Sequence, residues 1–108
     1  MQLPSLSHLQ FAVIDSLISG EKYGRALREI LKEKGVKKSG PAFYQLMSRL
    51  EDAGFIEGRY ENKMVRGQTV RERVYGITSC GAEAYREVTS FYSQIGQDSL
   101  GEMGIQTQ

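Results

Sequence analysis

Apolar residues recur at helical spacing in four stretches of the chain, with a looser, alternating region before the last of them. The first stretch predicts a helix from Ser7 to Ile18. Leu9, Ala12, Val13 and Leu17 form its stripe, and Phe11, Ile14 and Ile18 widen it. Ser7 and Gln10 fit an S-x-x-Q capping box, in which each side chain satisfies a backbone donor of the other. Ser19-Gly20 ends the pattern. The second helix is predicted over Lys22 to Lys34, with Tyr23, Ala26/Leu27 and Ile30/Leu31 at the helical period and Gly35 as its stop. The third lies in "SGPAFYQLMSRLEDAGFI". Phe43, Leu46/Met47, Leu50 and Ala53 line one face, Gly40-Pro41 suits the start, and Gly54 supplies a left-handed stop. A second face of this helix carries Ala42, Gln45, Ser48, Arg49 and Asp52.

After Gly54 the character changes. Phe55 to Val65 and Thr69 to Ile77 mix β-branched and aromatic residues with charges, and Arg66-Gly67-Gln68 lies between them. That pattern predicts a β-hairpin with a glycine-containing tip. Its tip and arms carry Arg59, Lys63, Arg66, Arg71 and Arg73. A fourth helix is predicted over Ser79 to Ile95, capped by Thr78. Its Tyr85, Val88, Tyr92 and Ile95 are spaced 3-4-3, a short coiled-coil-like seam with Phe91 beside it. Gly96 to Gln108 holds few large apolar residues and is expected to be a flexible tail. The expected organisation is residues 1–78 as one globular unit, 79–95 as an added helix and 96–108 as the tail.

With 108 residues, 40% hydrophobic and 25% charged, the chain suits one small domain. No apolar run approaches the roughly 20 residues that span a bilayer, and no basic-then-apolar leader opens the chain. A lone cysteine, Cys80, allows no intrachain disulfide and points to the reducing cytoplasm. Net charge is only +1, but its distribution is uneven. Lys22 to Tyr75 holds 13 Lys/Arg against 7 Asp/Glu, a net +6, and the flanks together carry −5. Such a basic middle is an electrostatic footprint for an anionic partner. On charge alone, solvated helix faces explain it as well.

The element order removes part of that ambiguity. Three short helices, a strand, a basic tip, a strand and a helix is the plan of a winged helix-turn-helix, mainly α with a small β-hairpin. The second and third helices pack through their stripes and leave the polar face of the third outward. A helix of that width fits the DNA major groove, and a basic hairpin tip reaches an adjacent backbone or minor groove. Gln45 can offer a bidentate amide to adenine, and Arg49 can address guanine or phosphate. Ser39, Tyr44 and Ser48 bring hydroxyls, Lys38 a charge at the helix start, and Ala42 a small side chain on the same face. Lys63, Arg66, Arg71 and Arg73 complete the candidate DNA-binding set. Tyr44 suits the edge of the core equally well.

These residues resemble the PadR-like transcriptional regulators. "ISGEKYGRALREIL" is similar to that family's glycine turn followed by Tyr23-Gly24 at the start of its second helix. "SGPAFYQLMSRLEDAGFIEGRY" resembles its recognition helix, with Tyr44 in the aromatic slot, Leu46 and Leu50 in the leucine slots, and Glu51 and Gly54-Phe55-Ile56 at the exit. "RERVYGIT" resembles the returning strand of the wing through Arg73, Tyr75, Ile77 and Thr78, and "TSCGAEAY" the start of the last helix through Thr78 and Gly81. The match covers about residues 5 to 95. It implies a dimeric, usually repressing transcription factor. It also implies that the neighbourhood of Tyr44 and the wing arginines meet DNA, and that the last helix makes the dimer. The chain departs from the family at Pro41-Ala42-Phe43-Tyr44, where Gly-Thr-Leu-Tyr is usual, so a threonine hydroxyl is missing.

The dimer has a physical basis of its own, because the seam of Tyr85, Val88, Tyr92 and Ile95 needs a cover. Its twin in a second chain is one; the first helix of the same chain is the other. Two-fold symmetry predicts a pseudo-palindromic operator in double-stranded DNA. A flat aromatic effector at that interface rests only on Tyr85, Phe91 and Tyr92, which core packing explains equally well. Cys80 near a helix start reads as a small buried hydrophobe more readily than as a redox sensor. His8 is the only histidine and gathers no co-ligands, so no metal or other cofactor is expected. No nucleophile–base set, carboxylate pair or phosphate-cradling loop stands out, so no enzyme is expected. The rival from another class is a winged-helix protein-interaction module that does not bind DNA.

Overall fold

The computed structural model describes residues 3–104. Its elements are α1 (His8–Leu17), β1 (Lys22–Tyr23), α2 (Gly24–Glu33), α3 (Gly40–Asp52), β2 (Ile56–Val65), β3 (Gln68–Ile77) and α4 (Ser79–Glu102). The three strands form one antiparallel sheet in the order β1-β3-β2. This is a winged helix followed by one further helix.

Local chemistry sets the helix ends. Ser7 accepts from the Gln10 backbone at 3.1 Å, and the Gln10 side chain accepts from the Ser7 backbone at 3.0 Å, which completes the expected capping box. Ser39 caps α3 by accepting from the Ala42 backbone at 3.3 Å. Gly35 and Gly54 follow α2 and α3 with φ of 88° and 83°, a region that costs other residues energy. The hairpin turns on two residues only, Arg66 and Gly67, both at positive φ (52° and 79°), which is the pattern of a type I′ turn. Gln68, expected at the tip, already pairs with Val65.

The predicted stripes meet in one core. Val13, Ile14 and Leu17 of α1, Leu27 and Leu31 of α2, Phe43, Met47 and Leu50 of α3, Ile56 of β2 and Tyr75 of β3 are all buried. Two further features differ from expectation. Lys22-Tyr23 pairs with Val74 and Tyr75 as a short edge strand instead of opening α2, which begins at Gly24. And α4 runs on to Glu102, seven residues past the expected end at Ile95. Gly96 and Gly101 each lower helix propensity by about 1 kcal/mol, yet a helix nucleated by its docked first turns can carry them. Residues 105–108 of the expected tail lie outside the described residues.

The base of α4 is fixed to the end of α3. Thr78 donates its hydroxyl to the Gly54 carbonyl at 2.6 Å and accepts from the Gly81 backbone at 3.0 Å. A β-carbon on Gly81 would sit 2.0 Å from the Phe55 carbonyl oxygen, so only glycine allows this approach. Above it, Ala84 and Val88 are buried and Tyr85 stacks on Phe11 with ring centroids 5.1 Å apart.

Candidate nucleic-acid interface

With Phe43, Met47 and Leu50 turned inward, α3 presents Tyr44, Gln45, Ser48 and Arg49 on its exposed side. The face has two edges. Towards the wing, Tyr44 and Ser48 line a cleft of about 470 Å³ with Tyr60, Arg71, Arg73 and Tyr75. On the other side, Ala42, Gln45 and Arg49 border a hollow shared with Lys38, Ser7 and Gln10. The residues singled out on the third helix therefore do lie together.

Tyr44 packs at the edge of the core and is also open to solvent. It is 43% exposed, and it also meets Phe43 edge-to-face with centroids 5.0 Å apart. Its hydroxyl would stand 3.1 Å from a β-carbon on Gly24, and the Tyr75 ring 3.3 Å from the same point. Glycine at the start of α2 is what lets both tyrosines pack there. Burial, opposed by the Arg73 guanidinium, pushes the Tyr75 phenol up to about 12, so it stays protonated at neutral pH.

The wing residues divide. Register places Arg71 opposite Asn62 and Arg73 opposite Tyr60, so these four share one face of the hairpin. The Arg71 guanidinium lies 4.0 Å from the Tyr60 ring centroid. Lys63 pairs with Val70 and belongs to the other face, where its ammonium lies 4.6 Å from the Tyr23 ring. Arg66 forms the tip.

Arg73, expected among the DNA-binding residues, is engaged within the chain. Its guanidinium donates to both carboxylate oxygens of Glu51, at 2.9 and 3.1 Å, and both side chains are only about a quarter exposed. Burial works against its charge, and the Glu51 carboxylate outweighs this and raises its pKa. The guanidinium thus faces α3 instead of standing free for phosphate. Arg59 is likewise engaged, by Glu21 and Glu61. The Ser39 oxygen is used as the cap, which leaves its hydroxyl proton to donate.

Several cations beside this face have no singular pattern in the sequence and were not anticipated. Arg25, Arg28, Lys32 and Lys37 join Lys38 around a groove of about 260 Å³ at the α2–α3 turn, with Leu31, Val36 and Phe43 beneath and Glu29 the one acid. Arg28 donates to the Lys38 carbonyl at 3.1 Å, which holds that turn to α2. Three acids beside the face are neutralised, Glu51 by Arg73, Glu72 by Arg25 and Glu61 by Arg59, while Asp52 at the end of α3 and Glu29 in the groove enter no ion pair among the described residues. Among the described residues, Lys37, Lys38, Arg49, Arg66 and Arg71 enter no ion pair.

The seam on α4 also divides. Val88 is buried in its own chain, and Tyr85 packs on α1, where its hydroxyl donates to Asp15. Tyr92 and Ile95 remain 63% and 45% exposed, and Phe91 lies beside them. Of the three aromatics behind the effector idea, Tyr85 is thus taken up by packing within the chain. Cys80 is exposed at the first turn of α4 and not the buried hydrophobe expected, and His8 is exposed too. No group of metal-binding side chains and no helix long and apolar enough to cross a membrane occurs among the described residues.

The chain matches the family model described as the transcriptional regulator PadR-like family over residues 13–87, and it belongs to that family. Solved structures share the fold. A PadR family transcription regulator from Clostridium difficile R20291 superposes with a TM-score of 0.70 at 16% identity, covering 90% of this chain and 98% of its own. A PadR family transcriptional regulator from Eggerthella lenta DSM 2243 gives 0.62 at 26% identity, covering 84% and 79%. Bacillus subtilis PadR in complex with operator DNA gives 0.64 at 22% identity; the match covers 77% of this chain but only 47% of that protein. No curated protein matches the chain.

Proposed function

Starting from membership of the PadR-like family, we propose that this chain is a sequence-specific DNA-binding transcriptional regulator that acts as a homodimer and represses by occupying a promoter. One observation carries the reading. The open face of α3 is polar, cations flank it on both edges and outnumber the acids there, and Glu51, Glu61 and Glu72 are already paired with arginines. DNA phosphates are the partner that rewards such a surface, through release of their counterions. Bacillus subtilis PadR, which shares the fold, is solved in complex with operator DNA, and this supports DNA as the partner.

In this reading α3 lies in the major groove. Gln45 and Arg49 address base edges, and Tyr44, Ser48, Ser39 and Ala42 pack against bases and backbone. Lys38 and its neighbours in the α2–α3 groove meet one phosphate strand. Arg71 and the tip residue Arg66 meet the adjacent backbone or minor groove, with Lys63 on the far face of the wing. Tyr92, Ile95 and Phe91 form the dimer contact, and Tyr85 and Val88 buttress it from within the chain. Two-fold symmetry then calls for a pseudo-palindromic operator.

Binding of fluorescent duplex DNA over a range of salt concentrations tests the reading. Affinity that falls steeply with salt, with a slope matching several phosphate contacts, supports it. Binding that ignores salt, or a folded protein that binds no duplex, favours the protein-interaction module instead.

A further inference from the structure

We propose that the Glu51–Arg73 ion pair is a brace that sets the angle between α3 and the wing, making Arg73 a positioning residue for DNA reading and not a phosphate ligand. The proposal rests on the DNA-binding reading above. The pair joins the last full turn of α3 to the middle of β3, 22 residues apart in sequence. Both oxygens of the carboxylate are used, and partial burial shields the pair from water and salt.

Gly58 supplies an independent observation. A β-carbon there would lie 2.7 Å from Glu51 Oε1 and 3.0 Å from both Nε and Nη2 of Arg73. The chain therefore omits a side chain where the ion pair passes beneath the wing. Gly58 has ordinary negative φ, so backbone conformation does not explain its presence; the space does. Above the pair, the guanidinium lies 4.7 Å from the Tyr60 centroid and 5.8 Å from that of Tyr75. Carboxylate and rings hold it in one place.

Leverage makes the brace matter. From the Tyr60–Arg73 rung to the Arg66 tip is six residues, or about 20 Å of strand. A tilt of about 10° at that rung moves the tip by roughly 3.4 Å, the rise along the DNA axis from one phosphate of a strand to the next. Loosening the brace would leave the wing's cations present but out of register with the contacts of α3.

Two measurements decide this. The first needs no DNA. Spin labels at Arg66→Cys and Asp52→Cys in a Cys80→Ser background, diluted into unlabelled protein, report the spread of wing-to-helix distances. Glu51→Gln and Gly58→Ala should each broaden a narrow distribution, and the charge-swapped pair Glu51→Arg/Arg73→Glu should narrow it again. An unchanged distribution in Glu51→Gln and Gly58→Ala, with wild-type thermal unfolding, overturns the brace whether or not DNA is the partner. The second measures binding to the selected and scrambled duplexes. Arg73→Met should cut discrimination roughly tenfold while leaving the salt slope unchanged, and Gly58→Ala should match it with every charge in place. A salt slope lowered by about one in Arg73→Met, with Gly58→Ala discriminating normally, would make Arg73 a direct phosphate ligand.

Discussion

The Tyr85 hydroxyl donates a 2.7 Å hydrogen bond to Oδ1 of Asp15 and ties α4 to α1 across 70 residues of sequence. Lys34, which caps α2, approaches the other oxygen of the same carboxylate at 3.1 Å. One carboxylate thus fastens three helices, and the C-terminal helix is docked to the winged helix by a polar contact as well as by the Phe11–Tyr85 stack.

That contact carries a pH signature. Tyr85 first, and Lys34 after it, hold the Asp15 carboxyl below its ordinary value of 3.8 against the pull of burial. The folded form therefore binds the proton less tightly than the unfolded form. The contribution is complete above that ordinary value and is lost as pH falls through the lower folded one. The Tyr85 phenol moves the other way, raised from 10.0 by Asp15, so its contribution is complete below that value and fades as pH rises through the folded one. Tyr85→Phe should cost at most about 1 kcal/mol near neutral pH, because the pair is partly solvated. Urea unfolding from acid to alkaline pH checks this: the variant's deficit should shrink at both extremes.

Two glycines of α4 should respond in opposite senses. Gly81→Ala forces a methyl into the Phe55 carbonyl, and should destabilise by at least about 2 kcal/mol in chemical denaturation. Gly96 has open space around its Cβ position, so Gly96→Ala should favour the helical form of that segment by up to about 1 kcal/mol. Far-ultraviolet circular dichroism should then show helicity that melts later in Gly96→Ala and earlier in Gly81→Ala.

Reading and anchoring should separate by mutation. Gln45→Ala with Arg49→Ala should erase preference for the operator over a scrambled duplex, since each bidentate base contact is worth about 1–3 kcal/mol of discrimination. Arg66 sits at φ 52°, so Arg66→Asn removes its charge while keeping a residue that tolerates the turn. That variant should bind all duplexes more weakly and lower the salt slope by about one. Equal losses of preference in both would contradict the division.

The exposed end of the α4 seam should govern assembly. Tyr92→Asp with Ile95→Asp should leave a folded monomer of 12.1 kDa by light scattering, whereas the wild type should weigh twice that. Tyr85→Phe should stay dimeric, because Tyr85 faces α1.

Much of this architecture is local and was legible in the residues. Ser7 with Gln10 announced a helix start, Gly35 and Gly54 announced stops, and the stripes of the first three helices named most of the core. The wing was visible as two β-rich arms about Arg66-Gly67-Gln68, one residue more than the turn uses. Glu51, Tyr23-Gly24 and Arg73 were all visible as matches to a family pattern, but their physical reasons were not. Gly24 gives room to two tyrosines 20 and 51 residues further on, and Arg73 is held by a carboxylate on another element. Pairings at such separation leave no periodicity to read. β1 was hidden for the same reason: two residues become a strand only when Val74 and Tyr75 lie beside them. The α4 extension was misread because Gly96 and Gly101 look like breakers locally, while a docked helix has already met its nucleation cost.

Selection of sheared genomic DNA on the purified protein tests the central claim most directly. Fragments retained at moderate salt are sequenced, and release by higher salt is recorded alongside. The account predicts an enriched pseudo-palindrome that elutes as salt rises. Protein shown to be folded and dimeric that enriches no sequence would contradict it.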